Sequence, residues 1–411
     1  VIGDRIRQAR LAASLTQDEV VSGLAETGHG ITKAALSKYE NKKSEPRQVL
    51  LLALARVLGV KPAYFLAEPD LKIEWLAFRK QARLPKTRQE QIKAFACNVL
   101  EGWVWLQNTL FPNAMPSFPP RVRVTGPESA EKAAMKLRKK WKLDDSPIDS
   151  IIKTVEDKGG YVVGVSTPGI KFDGLSGRVD GRPLIVVNVD TDGTLDRRRF
   201  NVAHELGHLQ MICGEMPEKE AENLAHRFAA ALLVPEAVAR EELGSQRRHL
   251  SLRELGVLKR KYGLSVQAWA RRAKDLKIVS ENEYKTLCIE ISRRGWRKRE
   301  PEAFDFMGDE QPTRLKQMTL RALSEEIISQ DQAERICKGS TESVSTVVEK
   351  AEGARRSPRE LLRLPREERA RILAAAAARA EKEYRTNTDL TDFEAFEEGG
   401  LHVESTDTEA R

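Results

Sequence analysis

The stretch FNVAHELGHLQMICGEMPEKEAENLAHRFAAALLVP, residues 200–235, decides how this chain reads. Phe200, Val202, Ala203, Leu206 and Leu209 recur with the period of a helix packed on a core. Within that run His204 and His208 lie four apart, so they stack on one helical face and can share one metal ion. Glu205 is rotated from its neighbour by about 100° and flanks the ion, placed to take a proton from a water in the open position. The pentapeptide alone is a weak signal, because many helices carry two histidines and a glutamate. A third ligand is required.

Residues 217–233 form a second amphipathic pattern, with Leu224, Ala225, Phe228, Ala229 and Leu232 on the packing side and Pro235 after its end. Glu222 is the candidate ligand on this helix. Glu218, one turn earlier, and His226, one turn later, compete for the role. Glu222 is preferred. Three ligands from two helices leave the fourth position of zinc open, as hydrolysis needs, whereas a structural site takes four protein ligands. No Cys pair is at hand to close the site.

At these residues the chain resembles the ImmA/IrrE family of bacterial metallopeptidases. The resemblance rests on Arg199-Phe200 leading into HELGH, on Glu222 ahead of Ala225, and on the run from Phe228 to Pro235. It implies Zn2+ held by His204, His208 and Glu222, with Glu205 as the catalytic base. It also implies a protein substrate, typically a repressor whose cleavage relieves transcriptional control. The family usually has asparagine where this chain has His226, a departure read as a hydrogen bond to a ligand, an altered site, or nothing.

Outside this stretch, 411 residues with a net charge of +8 imply two or three domains and a basic surface suited to a polyanion. Cys97, Cys213, Cys288 and Cys337 show no CxxC spacing, which argues against a disulfide framework and fits a reducing compartment. Neither a long apolar run nor a signal-peptide pattern is present, so a cytoplasmic location and no membrane partner are expected.

Residues 1–66 read as a compact helical domain. Ile2, Ile6 and Leu11 mark a first helix; Thr16 and Glu19 form a capping box for a second, with Val20 and Leu24 inward. Thr32 caps a third helix over 33–40, and an apolar segment over 49–58 is closed by Gly59. This domain resembles the XRE (Cro/CI-like) helix-turn-helix family through Arg10, Leu15-Thr16-Gln17, Leu36-Ser37-Lys38-Tyr39-Glu40, Pro46 and Leu58-Gly59-Val60. The resemblance implies DNA as a partner, with the third helix in the major groove. Thr32, Lys33, Ala34, Ser37 and Lys38 then form its DNA-facing set, Gln17 and Lys43 touch phosphates, and a homodimer is a natural arrangement. Leu36 is expected in the core. Residues 26–31 make the turn before the third helix longer than the family's usual tight one, and His29 within it is expected at the surface.

Residues 67–128 read as a helical connector, with a helix over 88–110 that is either a lever or a layer packed on a neighbouring domain. Residues 129–240 hold the zincin-like peptidase domain. In it a helix over 130–141 precedes one over 148–158 capped by Asp145-Ser146-Pro147. Strands at 161–165, 175–179 and 184–188 follow, the last two flanking the turn dipeptide Asp180-Gly181. Strands just ahead of a metal helix resemble the zincin layout, in which a peptide substrate pairs with an exposed sheet edge. Arg197-Arg198-Arg199 is expected to be a solvated face or the lead into the metal helix.

Residues 241–340 form a helical extension with basic clusters such as Arg271-Arg272, and His249 there is read as a surface residue. In the tail, 341–411, LPREER and LTDFEA resemble short antitoxin peptides that wrap a toxin partner, with an ordinary disordered tail as the alternative reading. The expected fold is α+β, mostly α: an N-terminal helix-turn-helix domain plus a zincin-like peptidase domain with a small β-sheet and a helical C-terminal region. The expected function is a DNA-binding regulator with a zinc endopeptidase domain. The rival is a non-proteolytic repressor or antitoxin whose zinc domain senses or scaffolds, and that rival has no chemical need of Glu205.

Overall fold

The computed structural model describes residues 1–67, 71–76, 84–112, 118–166, 172–190 and 194–337, together with residue 370. The chain divides into two compact units, Val1–Ser345 and Thr346–Arg411. The antitoxin-like motifs and His402 lie outside the described residues.

Four helices open the chain: α1 (Ile2–Ala12), α2 (Gln17–Glu26), α3 (Lys33–Glu40) and α4 (Gln48–Leu58). Their core is Ile6, Ala9, Val20, Leu24, Leu36, Leu54 and Leu58, closed by Phe65. The caps fall where the side chains dictate: Thr16 and Glu19 make the capping box of α2, and the Thr32 hydroxyl accepts from Ala35 N at the start of α3. Glu40 at the end of α3 is buried and ties three helices together. It accepts from Arg10 Nε and Nη2 at 2.5 and 2.9 Å and from Gln17 Nε2 at 2.8 Å. A buried carboxylate is tolerable only with such partners.

The connector contributes a short strand, β1 (Ile73–Trp75), and a long helix, α5 (Lys86–Leu110). Helix α5 is a packed layer. Its Glu101 accepts from Arg5 of α1 at 2.6 Å, and its Asn98 accepts from Gln8 at 2.7 Å and from the Tyr64 hydroxyl at 2.9 Å. On the other side Trp103 meets the ring of Tyr161 edge-on at 5.3 Å.

After β2 (Val122–Arg123) come α6 (Pro127–Trp141), α7 (Ile151–Asp157), β3 (Tyr161–Val165), β4 (Gly174–Val179) and β5 (Arg182–Asn188). The sheet order is β1-β4-β5-β3, with β4 antiparallel to β5 across the Asp180-Gly181 turn and β3 parallel to β5. Against it packs α8 (Leu195–Gln210), through Val202, Ala203, Leu206 and Leu209, all wholly buried. β6 (Met211–Ile212), parallel to β2, leads to α9 (Glu218–Leu233), which lies along α8 and α6. The remaining helices are α10 (Glu236–Leu243), α11 (Leu252–Tyr262), α12 (Val266–Asp275), α13 (Glu281–Arg293), α14 (Arg314–Ser324) and α15 (Gln330–Cys337). All four cysteines are unbridged.

Three expectations are corrected. The α7 helix starts at Ile151, three residues after the expected 148, because its cap is Ser150 together with a distant carboxylate: Glu310 accepts from Ile151 N at 3.0 Å and Ile152 N at 3.1 Å. The arginine triplet is not a solvated face: Arg198 and Arg199 are buried and only Arg197 is exposed. Arg272 of the expected basic surface is buried as well, held by Glu131 of α6.

Candidate metal centre

Helix α8 brings His204 and His208 to its outer side, and α9 presents Glu222 across from them. Nε2 of His204 and Nε2 of His208 are 3.1 Å apart; Glu222 Oε2 is 3.3 Å from the first and Glu222 Oε1 3.4 Å from the second. A tetrahedral ion with bonds of about 2.0–2.1 Å has ligand–ligand edges of about 3.3–3.4 Å. The two imidazoles and the carboxylate, which turns a different oxygen toward each ring, thus have a spacing that would suit a zinc-sized cation. His204 and Glu222 are buried, while the side chain of His208 keeps 26 % of its exposure.

The helices can approach this closely because of Gly207. A Cβ there would stand 3.1 Å from Cδ1 of Phe228 on α9, tighter than ordinary carbon contact.

His226 also reaches the centre: His204, Glu222 and His226 each offer a ligand atom within 4.8 Å of one another. The His226 ring is exposed and lies against the His204 ring at 4.3 Å with a 38° tilt, and it stacks on Phe200 at 5.8 Å. The two rings are tilted rather than stacked, so His208 and His226 each stand beside the pair His204 and Glu222 that both groupings share. Glu218, the other rival, is exposed at the first turn of α9.

Glu205 stands beside the trio and faces β4, where its Oε2 accepts from the Ser176 hydroxyl at 2.6 Å. Sequence reading missed Ser176; the strand position facing the metal helix was the available signal. The surrounding cleft, about 550 Å³, is lined by Leu76, Arg121, Gly174, Asn201, Cys213 and His226 besides the trio and Glu205. His249 lies elsewhere: its exposed ring bonds Glu283 at 3.1 Å.

On the helix-turn-helix domain, Thr32, Lys33, Ala34, Lys38 and Lys43 are exposed, and Ser37 is half-buried. Lys33 pairs with Asp18 at 2.7 Å on the open surface. Gln17 is half-buried with its amide nitrogen on Glu40, so its side chain also serves the internal hub. His29, expected at the surface, is half-buried.

Residues 157–274 match the IrrE N-terminal-like domain family, peptidase M78, and residues 6–65 match a helix-turn-helix family. No curated protein matches the chain. Among the described residues, no helix is long and apolar enough to cross a membrane.

Proposed function

Because the chain joins an XRE-type helix-turn-helix domain to an IrrE/ImmA-like peptidase domain, we propose that it is a cytoplasmic DNA-binding regulator that cleaves a regulatory protein with a zinc endopeptidase centre. The observation that carries this reading is the trio His204, His208 and Glu222, with side-chain atoms 3.1–3.4 Å apart and a second carboxylate, Glu205, held outside it. A zinc ion held by His204, His208 and Glu222 would supply Lewis acidity to polarise the scissile carbonyl and to make a water easier to deprotonate.

The chain's own groups do the rest. Glu205 takes the proton from the attacking water and returns it to the leaving amine. Ser176 holds the carboxylate in position through its hydroxyl, so that little reorientation is needed at the moment of transfer. Arg121, also lining the cleft, places positive charge beside the peptide path. In the other domain, α3 would enter the major groove with Lys33, Ala34, Ser37 and Lys38 toward the bases and Lys43 on a phosphate.

Glu205→Gln keeps the shape of the side chain and removes its basicity. The expected result is a full metal complement with cleavage of a denatured, labelled casein reduced by about 10²–10⁴-fold. Undiminished cleavage in that variant sinks the mechanism. Loss of cleavage in no protein, because none cleaves, together with intact operator binding, would leave the sensor-or-scaffold regulator as the function.

A further inference from the structure

The sheet edge next to the metal cleft is not bare. β1, from the connector, lies antiparallel along β4 with Ile73, Glu74 and Trp75 opposite Val179, Arg178 and Gly177. The ladder continues one step further, where Leu76 N donates to Ser176 O at 3.0 Å. Ser176 is the residue that holds Glu205, and Leu76 lines the metal cleft. β1 thus runs toward the catalytic carboxylate along the edge that an extended peptide needs.

We propose that β1 with Leu76 is a resident occupant of the peptide-binding edge of β4, and that an extended peptide of like pattern binds by replacing it. The inference rests on the peptidase reading for its consequence, since a covered edge would hold hydrolysis down. The strand's own pattern specifies the partner: an acidic residue opposite Arg178, flanked by apolar residues, with an aliphatic side chain at the mouth of the cleft. Backbone bonds to β4 supply affinity, and the flanking side chains supply selection.

The pairing is built to be close and to be weak. Gly177 admits it, for a Cβ there would stand 3.1 Å from Glu74 O and 3.2 Å from Trp75 Cε3. Yet β1 is three residues long, with Ile73 and Trp75 half-buried and Glu74 exposed. A short edge strand of this kind is marginal without other support, so a competing peptide can displace it. Two further contacts lie near the strand. The carbonyl of Ala67 accepts from Arg5 Nε of α1 at 2.9 Å, and Lys93 of α5 approaches the Trp75 ring at 5.9 Å.

Two variants of the full chain test this in a Glu205→Gln background, where cleavage is slowed enough for binding to be followed. Leu76→Pro removes the amide that Ser176 accepts; Trp75→Ser removes the ring over Gly177 and keeps every amide. Fluorescein-labelled LKIEWL, the sequence of residues 71–76, is titrated and followed by anisotropy. If the free edge is populated about one-tenth of the time in the parent, the β1 variants bind the peptide about tenfold more tightly at equal metal content. Unchanged affinity in both variants overturns the proposal. With Glu205 restored, the same variants should hydrolyse labelled casein several-fold faster than the wild-type chain. Tighter peptide binding with no hydrolysis by any variant would uphold strand replacement and overturn the peptidase reading instead.

Discussion

Arg199 and Glu310 meet at 2.6 Å with both side chains wholly excluded from solvent. Arg199 lies in the metal helix α8, and Glu310 lies beyond the matched peptidase segment, which ends at residue 274. The same carboxylate caps α7 through Ile151 N and Ile152 N and accepts from Ser150 Oγ at 3.2 Å. Burial alone pulls the Arg199 guanidinium below its usual range, and Glu310 opposes that pull. Removing one partner leaves the other charged in a dry interior. Glu310→Ala is expected to cost about 3–5 kcal/mol in urea unfolding, and Arg199→Met with Glu310→Leu together should cost less than Glu310→Ala alone.

Metal analysis separates the rival third ligands. Purified wild-type chain should carry one zinc, as should His226→Asn, whereas Glu222→Ala should lose most of it. The reverse pattern would move the cage onto His226, the grouping that shares His204 and Glu222.

Glu156 gives the fold a pH dependence. Its side chain is buried, Oε1 has no hydrogen-bond partner among the described residues, and burial pushes its carboxyl up to about 8, partly offset by the amides of Arg314 and Thr313. A carboxyl raised in the folded state binds a proton that the unfolded chain releases. Stability from this group is therefore full below the ordinary carboxyl range of about 4.5 and is lost as pH rises through about 8. Between about pH 5 and about pH 9 the wild-type melting temperature should fall relative to that of Glu156→Gln, by about 2–4 °C for each kcal/mol lost. Parallel curves for the two proteins would exclude a proton on Glu156.

On an operator recovered by selection from random duplexes, Lys38→Ala and Lys43→Ala should weaken binding. For a lysine on a phosphate, the slope of log affinity against log salt should shrink by about one, equally on all sequences. Ser37→Ala should change the preferred sequence more than the salt slope. Anisotropy titrations over a range of salt distinguish the two behaviours.

Much of the site was legible because its parts are local. The HELGH spacing, Glu222 on an amphipathic helix, and the Thr16 and Thr32 caps each follow from residues within a turn or two of one another. Glu310 was not legible: it acts 111 residues from Arg199, from a segment with no periodicity. For the same reason Arg198 and Arg199 looked like surface charge, since the partners that bury them come from distant loops. β1 was hidden by its length, three residues inside a stretch that composition marks as a connector.

Gly207 carries a last consequence. The spacing of the three ligand atoms depends on how near α9 can come to α8, and that approach is limited where Phe228 crosses position 207. A methyl group there would act as a wedge a few tenths of an ångström thick, comparable with the tolerance of about 0.2 Å on a metal–ligand bond. The smallest residue between the two histidines is thus the gauge of the cage: alanine at 207 would impair metal retention while leaving every ligand in place.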